Sequence, residues 1–196
     1  PRRPLSRRMA TMGVNEHYFE AIEEFLGAAS ELGKAPNYRT DAIQYAAFYL
    51  AGKADILLDA AVWAAMHGET EQAARCERRF LALLREADRL LASHPLLRLE
   101  RWNEQARAAG CSEEERDRFV REQRRLISVW GGPSLSDYSA RIWSGPIRDF
   151  YIPRWRNFFA ALNEGRSFDF RSWDEGWHQT DTLSRVKPFA EPLTAA

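Results

Sequence analysis

Trp130 and Tyr138 stand eight positions apart on either side of Gly131-Gly132-Pro133, where a charged helical pattern stops and then resumes at Ser136-Asp137-Tyr138. Glycine costs backbone entropy and proline removes a donor and clashes with the preceding turn, so the three residues together end a helix. The chemistry such a pair can do is non-covalent. A flat indole stacks on the apolar face of a sugar ring, and a phenol hydroxyl bonds a sugar hydroxyl at a pocket edge. A stiff loop on a helical scaffold presents both rings. Trp143, Trp155, Phe158 and Phe159 follow within thirty residues and are read as core. Arg154 and Arg156 are read as structural, because the guanidinium fork suits fixed ion pairs.

Other chemistries lack their parts. Glu113, Glu114, Glu115 and Asp117 crowd the start of a helix, where they favour the positive end of its dipole. Glu23, Glu24, Glu71, Glu77 and Glu86 read as solvated helix faces. Glu175-Gly176-Trp177-His178 is the one Glu-x-x-His, whereas a carboxylate-bridged metal pair in a bundle needs two. His17, His67 and His94 are scattered, the latter two near helix C-termini. There is no glycine-rich phosphate loop, nucleophile elbow or Cys/His metal spacing. The expectation is no metal, no cofactor and no catalytic residue in this chain, with Cys76 and Cys111 as free buried thiols.

The elements that would position the aromatics are helices. The periodicity predicts helices over about 15–32 (capped by Asn15), 38–67, 70–93, 97–109, 112–129, 137–150 with a kink at Gly145-Pro146, and 153–163 opening on Pro153. The helix at 70–93 has the cleanest stripe: Ala73, Cys76, Phe80, Leu83, Leu84, Ala87, Leu90, Leu91. Ser112 with Glu115 reads as a capping box, and Phe119, Gln123, Leu126 and Ile127 as the inward face behind it. Past Gly165 the sequence is aromatic and less regular, with Phe168, Phe170, Trp173 and Trp177. Short connections make neighbours antiparallel, so the fold class is all-α, an antiparallel helical bundle of about six to eight helices. The division expected is a basic N-terminal extension at 1–14, a helical domain at 15–180 and an irregular tail at 181–196.

Composition bounds the partners. In 196 residues, 28 basic and 28 acidic side chains balance, with a pI near 7.4, which argues against a nucleic-acid binder. No apolar run approaches the roughly 20 residues that span a bilayer, and no secretory h-region follows the basic start. Only Lys34, Lys53 and Lys187 are lysines, a bias read as GC-rich bacterial coding. The chain starts at Pro1, so it is read as a piece of a longer protein or an incomplete reading frame.

Four segments, in order and at characteristic separations, carry a resemblance. They are Asn37-Tyr38-Arg39-Thr40-Asp41, Trp102-Asn103-Glu104-Gln105-Ala106-Arg107, Val129-Trp130-Gly131 with Asp137-Tyr138, and Tyr151-Ile152-Pro153-Arg154-Trp155-Arg156. From about Tyr18 to Trp177 the chain resembles the C-terminal helical domain of glycoside hydrolase family 89, the α-N-acetylglucosaminidases. The resemblance implies hydrolysis of terminal α-linked N-acetylglucosamine with retention, by two glutamates of an upstream (β/α) barrel. It implies that the helical domain packs on that barrel and lines the pocket with Trp130 and Tyr138. The loop between them is one residue shorter than in the family, with Leu135 as the candidate apolar residue between the two rings. The expected partners are therefore the barrel and an N-acetylglucosamine-containing glycan. Compartment stays open: secreted or periplasmic in a bacterium, lysosomal in the animal relatives. Two other classes remain beside it: a stand-alone helical interaction module with no glycan role, and a self-sufficient metal enzyme. A fragment of this kind should also expose an apolar face and be prone to self-association.

Overall fold

Tyr38 to Met66 forms one unbroken helix of 29 residues, packed along its length on the helix that follows it and, less extensively, on the one at Glu16–Gly27. The structure is a computed structural model that describes residues 16–128, 130 and 140–179. In chain order the helices are α1 (Glu16–Gly27), α2 (Ala29–Leu32), α3 (Tyr38–Met66), α4 (Thr70–Leu91), α5 (Leu99–Ala108), α6 (Glu113–Leu126), α7 (Ile152–Asn163) and α8 (Phe170–Gln179). A 3-10 turn at Pro95–Leu97 leads into α5, and a π-helical turn at Ile147–Tyr151 leads into α7. Among the described residues there is no strand, only a parallel bridge between Arg98 and Ser144. The all-α bundle expected from the sequence is the architecture found. Asn15, read as the first N-cap, lies outside the described residues, and the first expected helix is broken at Ala28 into α1 and α2.

The core sits between α3, α4, the π turn and α7. α4 buries Ala73, Cys76, Phe80, Leu84, Ala87 and Leu91, every third or fourth residue, against Ile43, Ala47, Ala54, Leu58 and Ala61 of α3. Alanines on α3 let the two backbones approach closely along their length. Gly52 does the same for α1: a Cβ there would lie 3.0 Å from Tyr18 Cε1 and 3.1 Å from Phe19 Cε1. Trp155, Phe158 and Phe159 of α7 fill the centre, with Phe80 edge-on to Trp155 at 5.8 Å. Cys76 is buried and free as read, but Cys111 is free on the surface.

One expected helix is corrected, and one helix is added. The segment 140–144 is not helical. Leu99 N–H bonds Ser144 O at 2.9 Å and Ser144 N–H bonds Leu97 O at 2.8 Å, which holds it extended against the entry to α5. Gly145 then turns at φ +101°, a conformation no helix contains. Beyond Gly165, where the sequence is less regular, the chain still forms α8: Asp169 caps it by accepting from Ser172 N at 3.1 Å and Ser172 Oγ at 2.7 Å.

Candidate functional site

The aromatic loop starts at the end of α6, and α6 is built as read at its start. Ser112 Oγ accepts from Glu115 N at 3.2 Å. The Glu115 carboxylate reaches back to Cys111 N at 2.9 Å, one residue further than the usual box. Arg107 of α5 ties the helix down through Asp117 and Glu113, both at 2.7 Å. Its inward face differs from the one expected. Val120, Arg124 and Ile127 are buried, whereas Leu126 is 52% exposed and Phe119 is only half-buried. Arg124 takes the inward place because its guanidinium has a flat partner, the Trp177 ring at 4.2 Å.

At the C-terminal end of α6, Ser128 Oγ donates to Arg124 O at 2.7 Å and Trp130 N–H to Arg125 O at 2.8 Å. Trp130 has φ +48° and is 40% exposed. The structure therefore places Trp130 at the surface, on a bent-back chain end, where an indole face can meet a ligand. Tyr138 and Leu135 lie outside the described residues, so Trp130 alone of the three candidate residues has a described position.

The far root of the loop is anchored independently. Trp143 stacks on Trp102 at 5.2 Å with planes 9° apart, and Trp102 Nε1–H donates to Leu96 O at 3.0 Å. Gly145 N–H donates to the buried Asp88 carboxylate at 2.9 Å. Burial pushes the Asp88 carboxyl above the usual aspartate range, while the Gly145 N–H, Arg148 and Ser144 pull it back. Arg148 spans the rim, 3.2 Å from Glu100, 2.9 Å from Asp149 and 4.0 Å from Asp88, and Asp149 beside it pushes its guanidinium further toward the charged form. Sequence reasoning missed Asp88 and Arg148. Apart from Asp149 next to Arg148, their partners lie tens of residues away, and neither spacing nor periodicity signals them.

The carboxylates of this region hold structure. Asp88 holds Gly145, Glu100 holds Arg148, and Asp174 holds Arg154. Arg154 is buried as a structural cation, whereas Arg156 is exposed and lies near the half-buried Glu77. His94 sits in a capping role: Nδ1 accepts from Leu96 N, and Nε2 lies 3.1 Å from Thr40 Oγ1. Burial, with Arg39 and Arg101 nearby, holds its pKa below the usual histidine range. Among the described residues no three His, Cys, Asp or Glu side chains form a metal-holding group, and no helix is long and apolar enough to cross a membrane. The geometry can stack and orient a ligand.

Comparison with known proteins narrows that reading. The family model described as alpha-N-acetylglucosaminidase (NAGLU) C-terminal domain matches residues 5–196. The human alpha-N-acetylglucosaminidase is 33% identical over 118 residues, covering 56% of this chain and 16% of that protein. The fold is shared with a family 89 glycoside hydrolase from Clostridium perfringens, solved with PUGNAc. The TM-score is 0.71 at 24% identity, over 85% of this chain and 20% of that one. A second structure, of that organism's CpGH89 with its substrate GlcNAc-alpha-1,4-galactose, gives a TM-score of 0.73 at 23% identity, over 89% and 22%. The chain thus spans about a fifth or less of the length of these relatives. Matched over nearly its whole length, it belongs to the alpha-N-acetylglucosaminidase C-terminal domain family.

Proposed function

We propose that this chain, with its helical domain at 15–180, is one wall of the sugar-binding cleft in an enzyme that hydrolyses terminal α-linked N-acetylglucosamine. The family match over residues 5–196 carries this reading and displaces the stand-alone interaction module. A retaining glycosidase needs two carboxyls about 5 Å apart beside the scissile bond. In this reading both come from an upstream catalytic barrel on which the helical domain packs. The bundle supplies orientation, which lowers the barrier without proton transfer.

Trp130 is assigned to the apolar face of the sugar ring, with Tyr138 and Leu135 completing the pocket from the same loop. Its exposure of 40% at a bent-back helix end supports this, since a packing tryptophan is ordinarily covered.

The experiment is hydrolysis of a chromogenic α-N-acetylglucosaminide by the chain alone and by the chain joined to its barrel. Activity is expected only in the joined form, where Trp130→Ala should lower kcat/KM by about 10–100-fold, or roughly 1.4–2.7 kcal/mol of transition-state binding. An unchanged rate in a correctly folded Trp130→Ala enzyme removes the pocket role. Turnover by the isolated chain refutes the division of labour.

A further inference from the structure

Among the described residues, Trp130 is the only one other than glycine with a positive φ. Left-handed backbone costs a residue with a Cβ about 1–2 kcal/mol, and it persists where the surroundings impose it. Two other helices close on the same bond, an N–H donated to the carbonyl five residues back. Glu69 N–H bonds Ala64 O at the end of α3, and Arg166 N–H bonds Ala161 O at the end of α7. In both, a glycine carries a positive φ, Gly68 at +77° and Gly165 at +66°. α6 closes through Trp130 N–H on Arg125 O with the positive φ on the tryptophan itself. The position matching Gly68 and Gly165 is 129, outside the described residues, and at Trp130 itself no glycine relieves the left-handed backbone, so packing around the end of α6 must offset its cost.

The hold comes from α8. Arg124 is 4% exposed, and its guanidinium lies on the Trp177 ring. Trp177 is 7% exposed and packs on Phe150 at 4.7 Å. α8 is itself pinned by the pair of Asp174 with Arg154. The same turn is drawn in by Ser128 Oγ on the Arg124 carbonyl. A buried charge is a costly way to fill space, and an apolar side chain of that length packs as well or better. Burial lowers the pKa of Arg124, and the Asp149 carboxylate opposes the effect. What a guanidinium adds is a flat cation: over the indole face, with its carbon 4.2 Å from the ring centroid, it ties the two helices at a set separation.

We infer that Arg124, through its stack on Trp177, is a positioning residue that fixes the last turn of α6 and so the angle at which Trp130 meets the sugar. The inference rests on the role proposed for Trp130.

The test is a double-mutant cycle on the full-length enzyme, with Arg124→Met, Trp130→Ala and the pair, read as kcat/KM on the chromogenic α-N-acetylglucosaminide. Arg124→Met should lower kcat/KM about tenfold when Trp130 is present and less than about twofold when it is alanine. A merely structural role gives the same loss in both backgrounds, and that result, or no loss in the first, overturns the inference. If Arg124→Met does not fold, Trp177→Phe keeps a buried ring and carries the same comparison. It should give a smaller loss that again vanishes with Trp130→Ala, and an equal loss in both backgrounds again refutes positioning. A silent Trp130→Ala overturns the pocket reading and this inference together. Loss with Trp130→Ala but none with Arg124→Met overturns this inference alone.

Discussion

Arg154 and Asp174 meet inside the core with Nη1 3.0 Å from Oδ1 and side chains 0% and 1% exposed. The guanidinium carbon is within 6 Å of the rings of Phe150, Tyr151, Trp155 and Phe170. Removing one partner leaves the other charge buried, a loss of about 3–5 kcal/mol. Asp174→Leu and Arg154→Met should each destabilise by that amount in urea unfolding, while the double replacement should recover most of it. A double variant as unstable as the worse single one would show that the pair does more than neutralise itself.

Gly145 and Gly176 should respond to alanine in opposite directions. At Gly145 the φ of +101° and a Cβ 2.6 Å from Leu99 Cβ combine strain with collision. Gly145→Ala should destabilise by about 2 kcal/mol or more. Gly176 lies within α8 with nothing within 4 Å of its Cβ direction, so Gly176→Ala should stabilise by about 0.5–1 kcal/mol. Thermal midpoints of the two variants decide the matter, and a shift of the same sign in both would contradict it.

Trp130→Gly relieves the left-handed backbone while deleting the indole. The variant should be as stable as the parent or about 1 kcal/mol more so, with activity lost in the full-length enzyme. Lowered stability would mean that the indole holds the fold rather than a ligand.

Alkaline stability should depend on Tyr18. Its hydroxyl donates to Phe48 O at 2.9 Å. Burial, reinforced by the Asp55 carboxylate, pushes its pKa from 10.0 to about 12. A folded pKa above the unfolded one means that the folded state holds the proton longer. The contribution is therefore intact below pH 10 and lost as pH rises from 10 to about 12. Tyr18→Phe should flatten the fall of stability in that window, measured by denaturant unfolding. An unaltered slope would exclude Tyr18 as its source.

The outer face of α3 should make the isolated chain self-associate. Ile56, Trp63 and Met66 share that face and are 40%, 56% and 74% exposed. Sedimentation velocity at rising concentration should show association that Trp63→Glu with Met66→Lys reduces. A parent chain that stays monomeric throughout refutes this.

Legibility from sequence followed the range of the interactions. The stripe of α4 was readable because helix periodicity and burial coincide from Ala73 to Leu91, and the Ser112 cap because its partner is three residues on. The run 140–151 was not. A helical reading there misses that Ser144 pairs with Leu97 and Leu99 and that Gly145 answers to Asp88, 57 residues earlier. α8 was missed although Asp169 and Ser172 spell a helix start, since Gly176 and the crowd of aromatics obscured its period. At α6 the alphabet misled: an apolar Leu126 was read inward, and the charged Arg124 was not counted among the inward residues. Stacking on Trp177 reversed both, which a pattern of polar and apolar letters does not encode. Trp130 was legible as an exposed aromatic beside a break, but its positive φ was not, because two glycines follow it.

The α3–α4 hairpin also sets an order of events. Its two long helices are joined by a three-residue turn with Gly68 at its bend, so its contacts close small loops and form early. The clasp of Asp88 on Gly145 closes a far larger loop and waits for a finished α4 to bind to. Chain assembly should thus run from the hairpin outward, with Phe80→Leu slowing folding and Trp177→Phe chiefly speeding unfolding in stopped-flow experiments. Trp130 and the turn at Gly145, which rest on these later contacts, should take their final places at the end of folding.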